Sequence, residues 1–265
     1  MGKSWKLTSW LSDDIPDLGA FTLSWEPEGE NSQKLMIQQR GKPYWTSGDL
    51  INQTTEFPLQ WSNRDVGNQT FEFLDVNSPI SLYQYNLSYV YNNEERYFSF
   101  HSFNGGHPMW ILTPQGQFVN GGDSYINWSP NFCYGYDSGN GCVAGSNLPQ
   151  CRSENDRFDL RNGDFALDIK NSYDFNSSLS ISDCMVRCWN DCSCLGFITS
   201  NINNGTGCAI WTGTKSTDSF SINIQGTSLS KYVLVSSSPS KGKESYFHFK
   251  VMNSIVEERQ KRDDE

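Results

Sequence analysis

Through the first half of the chain, apolar side chains recur at every second position in short runs, and each run is closed by Gly, Pro, Asn or Ser. A period of two puts alternate side chains on opposite faces of an extended chain, so each run reads as a half-buried β-strand. Phe21, Leu23 and Trp25 alternate with polar partners in the run 20–27, and the runs 70–76 and 82–91 follow the same rule. The run 96–103 is another, and 110–119 reads as a strand, a Pro114-Gln115-Gly116 turn and a second strand. Strands spaced roughly ten residues apart predict a sandwich, barrel or prism rather than βαβ units. The chain is expected to be all-β up to about Trp128.

Gly121-Gly122 and the stretch around Pro130 break this pattern. Residues 133–151 carry too many Gly, Asn and Ser, and too few apolar side chains, to pack without covalent help. A second module starts near Asp156. Its helix signal is Ser180-Ile181-Ser182-Asp183, a capping box with Leu179 placed as a staple, which predicts a helix of about eleven residues. Residues 194–200 and 207–213 read as two strands joined by the turn-rich 201–207. Beyond Glu244 a weakly amphipathic stretch ends in a charge run, which predicts a solvated, partly helical or disordered tail.

Nine Trp, twelve Tyr and sixteen Phe make the expected core aromatic rather than aliphatic. Lys and Arg number 20 against 30 Asp and Glu, a net charge of −10. Residues 237–265 hold six residues of each sign, so the excess belongs to the body of the chain. Such a body opposes nucleic acid and anionic membranes, which call for clustered cations. No apolar leader segment follows Met1, and no run of eighteen apolar residues is present, so neither a signal peptide nor a membrane span is expected in this chain.

Five of the eight cysteines lie between Cys184 and Cys208. On a helix Cys184, Cys188 and Cys192 form one stripe, at i, i+4 and i+8. A structural zinc site or a thioredoxin-type centre is expected to show C-x-x-C pairs, and there are none; the three His, 101, 107 and 248, lie far from the cluster. Disulfides fit an even count in a loop-rich chain. Eight cysteines allow 105 pairings. Within the helix reading, Cys188 can reach Cys194 and Cys184 can reach Cys208, while Cys192 needs a partner outside the motif. Asn52, Asn68, Asn86, Asn127, Asn176 and Asn204 head N-x-S/T acceptors, candidates for N-glycosylation, although chance alone supplies roughly four and Pro130 weakens Asn127.

Residues 7–27, 42–50, 141–158 and 180–213 together resemble the ectodomain of plant S-locus glycoproteins and G-type lectin S-receptor-like serine/threonine kinases. The resemblance covers about residues 5–236. It implies a mostly β fold: a β-prism-like lectin/S-locus domain over 1–130, a reduced EGF-like connector over 131–152, and a disulfide-stapled PAN/apple module over 153–236 with one helix on a small antiparallel sheet. A polar, juxtamembrane-like tail follows over 237–265. It also implies the bridges Cys184–Cys208 and Cys188–Cys194, a surviving Cys133–Cys142, and Cys151 as the partner left for Cys192. The family's signal peptide, first lectin domain, membrane helix and kinase are not found in the chain, which suggests a truncated product of an extracellular or plasma-membrane ectodomain.

The family's mannose motif, Q-x-D-x-N-x-V-x-Y, does not occur. Trp45 and Trp110 would stack on sugar rings if exposed, but Trp in a β-domain is more often core. No nucleophile elbow, H-E-x-x-H or kinase motif is present. Asp13-Asp14 and Asp263-Asp264-Glu265 read as solvated acidic runs. The expectation is therefore a non-enzymatic recognition module without metal or cofactor. The resemblance implies a protein or peptide ligand, self-association or heterodimerisation through the PAN module, and a family role in cell-surface signalling and recognition of pollen. The alternative is a soluble S-locus-type glycoprotein or carbohydrate-binding lectin fragment without signalling activity.

Overall fold

The computed structural model describes residues 6–28, 32–52, 69–74, 85–102, 109–121, 126–127, 129–143, 148–214, 220–222 and 229–236. Four strands open the chain, β1 (Leu7–Trp10), β2 (Leu18–Trp25), β3 (Leu35–Gln39) and β4 (Lys42–Thr46), in one antiparallel sheet in sequence order. The alternation that predicts β2 decides its faces: Phe21 and Leu23 turn into the core, while Trp25 stays half-buried at the far end. Arg40 and Gly41 join β3 to β4, with φ of 48° and 79°. A two-residue hairpin whose central residues both have positive φ matches the right-handed twist of the strands it joins.

Two short pairs follow, β5 (Leu50–Asn52) with β6 (Gln69–Phe71), and β7 (Tyr85–Tyr91) with β8 (Arg96–Ser102). The run expected as a strand over 70–76 is cut short. Phe71 and Leu74 bridge each other across a tight turn, and the amides of Glu72 and Phe73 are taken by the carbonyls of Asp49 and Ser47 at 3.0 and 2.8 Å. Phe71 and Leu74, rather than every second residue, therefore point inward. A three-stranded sheet completes this half: β9 (Met109–Leu112), β10 (Phe118–Gly121) and β11 (Ile126–Asn127). The turn between β9 and β10 requires glycine, because Gly116 has φ +87° and a Cβ there would lie 2.4 Å from the Phe21 ring.

Phe21, Ile37, Trp45, Phe71, Tyr85 and Phe118 fill the first core. Tyr85 donates its hydroxyl to the buried Asn120 Oδ1 at 2.8 Å. Trp45 is fully enclosed and gives its indole N–H to the Asn140 carbonyl at 2.9 Å. Trp110 lies face to face with Phe100, centroids 3.8 Å apart. Neither tryptophan offers a free platform for a sugar.

The second half has β12 (Asp156–Phe165), β13 (Lys170–Asp174), α1 (Ile181–Asn190), β14 (Cys194–Ile198), β15 (Cys208–Thr212), β16 (Phe220–Ile222) and β17 (Ser230–Ser236). They build one antiparallel sheet in the order β13-β15-β14-β17-β12-β16, and α1 packs on β14 and β15. The first long strand, β12, pairs with the last, β17, from Asp156 opposite Ser236 to Asn162 opposite Ser230. The ends of this half are therefore zipped together. Where β12 leaves β17 for β16, Gly163 sits at φ +154°, and the buried Lys231 Nζ donates to the Gly163 carbonyl at 2.7 Å and to Asp164 Oδ1 at 2.9 Å. The second core joins Phe132, Phe158, Trp189 and Phe197 with the cysteines of α1, β14 and β15.

The tail expected over 237–265 lies outside the described residues, as does Asn68. No helix among the described residues is long and apolar enough to cross a membrane.

Arg152 closes the C-terminal end of α1. Its guanidinium donates to the carbonyls of Trp189 at 3.0 Å, Cys188 at 2.9 Å, Asp191 at 2.6 Å and Cys194 at 3.3 Å. These include carbonyls that a helix end leaves without intrahelical partners, and a cation there also complements the helix dipole. Arg152→Ala strands several buried acceptors and is expected to destabilise the chain by about 3 kcal/mol, with Arg152→Lys recovering only part. Urea midpoints of the three proteins measure this, and a loss below about 0.5 kcal/mol, the scale of an ordinary surface substitution, would refute the capping role.

Candidate functional site

Helix α1 is short, and its N-terminus is built by local chemistry. Asp183 Oδ2 accepts the Ser180 N–H at 2.8 Å, the return bond of the capping box read from the sequence, and accepts the Ser180 hydroxyl as well at 2.8 Å. Ser182, Cys184, Met185, Cys188 and Trp189 form its buried face. Cys184 bonds Cys208 on β15, and Cys188 bonds Cys194 at the start of β14. Cys192, just past the helix, bonds Cys151, and Cys133 bonds Cys142. Their Cα separations of 5.4, 5.2, 5.5 and 5.4 Å all suit a disulfide. No free thiol remains in the chain. Cys133, Asp137 and Cys142 gather potential ligand atoms within 4.8 Å, but the two sulfurs are bonded to each other, so no thiolate is left for a metal.

Residues 131–143 stitch the two halves together. Cys133 donates its N–H to the Tyr44 hydroxyl on β4 at 3.0 Å, and Phe158 on β12 donates its N–H to the Tyr134 hydroxyl at 3.0 Å. The Tyr136 hydroxyl donates to the Asp156 carbonyl at 3.1 Å. Burial raises the Tyr44 phenol and pushes that of Tyr134 up to about 12, so both are neutral hydrogen-bonding posts. Phe132 belongs to the second core, whereas Cys142 belongs to the first.

A direct contact completes the junction. Arg40, held in the left-handed region at the tip of the β3–β4 hairpin, presents a fork to the N-terminus of α1: Nε meets Asp183 Oδ1 at 3.2 Å and Nη2 meets Asp183 Oδ2 at 2.7 Å. Nη2 also donates to the Ser178 carbonyl at 2.8 Å. Beside it, the Ser12 hydroxyl donates to the Asn204 carbonyl at 2.6 Å. Burial alone would raise the Asp183 carboxyl, but the Arg40 guanidinium and the Ser180 N–H and hydroxyl outweigh it and hold the carboxyl below the ordinary carboxylate range. Between the hairpin, residues 132–135 and α1 lies a groove of about 630 Å³.

Of the glycosylation candidates, Asn86 on β7 and Asn176 before α1 are exposed. Asn204 is half-buried, and its Oδ1 accepts the Thr206 N–H at 3.2 Å and the Thr206 hydroxyl at 2.8 Å. Asn52 and Asn127 lie on β5 and β11, with only their backbones among the described residues. The sequence reading passed over Arg40, Tyr44, Tyr134 and Arg152. An Arg-Gly pair between two short apolar runs marks a hairpin tip, but which carboxylate it meets is a tertiary fact.

A short helix fastened by two bridges to an antiparallel sheet, with a third bridge reaching back to residue 151, coincides with a match to a known domain family. Residues 151–215 form a PAN-like domain. A G-type lectin S-receptor-like serine/threonine-protein kinase of Arabidopsis thaliana is 25% identical over 251 residues, 79% of this chain and 27% of that relative. An S-locus-specific glycoprotein of Brassica oleracea and another of Brassica oleracea var. alboglabra are each 49% identical over 37 residues, 14% of this chain and 8% of theirs. The chain spans about a quarter of the length of the receptor kinase it matches. No kinase domain is seen among the described residues of the present chain. The PAN-like domain, the mostly β fold and the four disulfides are consistent with an S-locus-type ectodomain.

Arg40→Ala removes the fork between the first sheet and the PAN-like domain and is expected to cost about 1 kcal/mol, the value of a partly exposed ion pair. A carboxyl held low when folded stabilises the fold above its unfolded value, near 3.9, and that share is lost as the pH falls through the folded value. Chemical denaturation of both proteins should show a constant gap around neutral pH that closes in strong acid. A gap independent of pH would place the effect of Arg40 elsewhere.

Proposed function

We propose that the chain is an extracellular recognition module of the plant S-locus receptor type. In this reading the family's second lectin-like/S-locus domain would cover 1–130, a connector 131–152 and the PAN-like unit 153–236. The observation that carries the reading is the pairing of all eight cysteines, six of them within the PAN-like domain, because four bridges fit an oxidising compartment and a small core per unit. The relatives add the class of molecule: one is a receptor-like kinase, two are S-locus-specific glycoproteins. Recognition of a protein or peptide, in cell-surface signalling of the kind that includes recognition of pollen, is the function this supports best. The enclosed Trp45 and the covered face of Trp110 weigh against the carbohydrate alternative.

The reading is tested by secreting the chain from plant cells behind a leader peptide and titrating it onto intact cell surfaces. Saturable binding that protease treatment of the surface abolishes and mannose does not compete is expected. Mannose-competed binding would favour a lectin, and the absence of any saturable binding would overturn the module.

We further propose that Asn86 and Asn176 carry N-glycans, since both head exposed acceptors. Intact-mass spectrometry of the secreted chain should lose one glycan for each of Asn86→Gln and Asn176→Gln. An unchanged mass distribution in either variant, apart from the substitution itself, would exclude that position.

A further inference from the structure

The groove of about 630 Å³ between the β3–β4 hairpin, residues 132–135 and α1 has the size of a ligand site and lies where such sites are common, at the seam of two structural units. Its ionisable rim holds three cations, Arg40, Lys42 and Arg187, against the single carboxylate of Asp183. In a chain of net charge −10 this is a local reversal of sign. A cleft lined by one sign focuses the field on ligands of the other.

The cations are not equally committed. Arg40 is held by Asp183 and Ser178 and serves as wall. The Lys42 ammonium has no ion-pair partner among the described residues, and Arg187 meets Asp174 at 2.7 Å in a bridge whose two side chains are 46% and 42% exposed. An exposed pair of that kind contributes little, so an incoming carboxylate displaces Asp174 at small cost. The walls, by contrast, are fixed: Trp189 is clamped by Arg152, and the bridges Cys133–Cys142 and Cys188–Cys194 anchor both sides. A preformed groove loses little entropy on binding.

The floor selects the ligand class. Phe132 and Trp189 are only 4% and 5% exposed, and their rings meet each other and Tyr134 edge to face, while Tyr134 stacks on Tyr136. Ring faces engaged in this way suit a sugar less than a side chain, which the apolar edges receive together with Val143 and Val186. We infer that the groove between the first sheet and helix α1 binds an acidic peptide segment, which seats an apolar side chain against Trp189 and Phe132 and places its carboxylates at Lys42 and Arg187.

This inference rests on the reading of the chain as a recognition module, and the test separates the two. Fluorescein-labelled octapeptides alternating leucine with glutamate, with lysine or with serine are titrated against the full chain, together with a heparin hexasaccharide as a non-peptide polyanion. The glutamate peptide should bind best, with affinity falling as salt is added. Lys42→Glu and Arg187→Glu should each weaken it several-fold, and the double variant by at least about tenfold, with melting temperature and disulfides unchanged. Equal binding of the glutamate and lysine peptides, unaltered affinity in the double variant, or saturable binding of heparin alone would each overturn the proposal. Should the double variant fold poorly, the milder Lys42→Ala reads the same loss. The cell-surface titration runs in parallel: failure of the octapeptides alongside intact surface binding rejects the groove and keeps the module, whereas loss of surface binding by the unaltered chain rejects the module itself.

Discussion

The covalent fastening of one short helix to one sheet is the constraint on which most of the second half depends. A helix of ten residues is marginal in water by its own hydrogen bonds, because nucleation costs more than so few turns return. Here Cys184 and Cys188, one turn apart, tie it to β15 and β14 across sequence separations of 24 and 6, and Cys192 ties its exit to Cys151 across 41. Closing such loops restricts the unfolded chain, and the longer closures restrict it more. With the helix axis fixed, Trp189 falls into the second core, Arg152 reaches the orphan carbonyls, and Asp183 faces the first sheet. The cap, the junction and the groove are consequences of where the bridges place α1.

What was legible in the sequence is what neighbouring residues decide among themselves. The Ser180 and Asp183 box, the spacing of Cys184 and Cys188, the strands β7 and β8 and the Pro114-Gln115-Gly116 turn are each written in a short local stretch of the chain. The pairing of β12 with β17 is not, because its partners lie about eighty residues apart at the Asp156 and Ser236 end, and Asp156–Phe165 mixes charged residues into its apolar positions. The expected strand over 70–76 failed for a related reason. Phe71 and Leu74 gain more by both entering the core than by alternating, and Asp49 and Ser47 supply the hydrogen bonds that the turn needs. Of the candidate site, helix spacing suggested the Cys184–Cys208 and Cys188–Cys194 pairings and the family resemblance the other two, whereas Arg40 and Arg152 act on groups brought to them only by the fold.

The two halves are not merely adjacent. Residues 131–143 give Phe132, Tyr134 and Tyr136 to the second core and Cys133 and Cys142 to the first, and three tyrosine hydroxyls carry backbone hydrogen bonds at the seam. A buried hydroxyl bonded to a main-chain group is lost at full desolvation cost if its partner moves, so the seam resists shear more than apolar contact alone would. The left-handed Arg40 fits this picture. A non-glycine residue adopts positive φ at a cost, and at this hairpin tip the fork to Asp183 and the bond to Ser178 offset it.

The charge of the molecule and the charge of its seam point in opposite directions, and the second matters more for recognition. Net charge governs solubility and long-range repulsion, which fall away within a Debye length in salt. Specificity is decided where side chains are held and partly desolvated, and the seam concentrates Arg40, Lys42 and Arg187 around buried aromatic edges. An acidic body repels an acidic partner at long range, and the seam is a place among the described residues where the local sign is reversed. Attraction at one site and repulsion around it together give more discrimination than either alone.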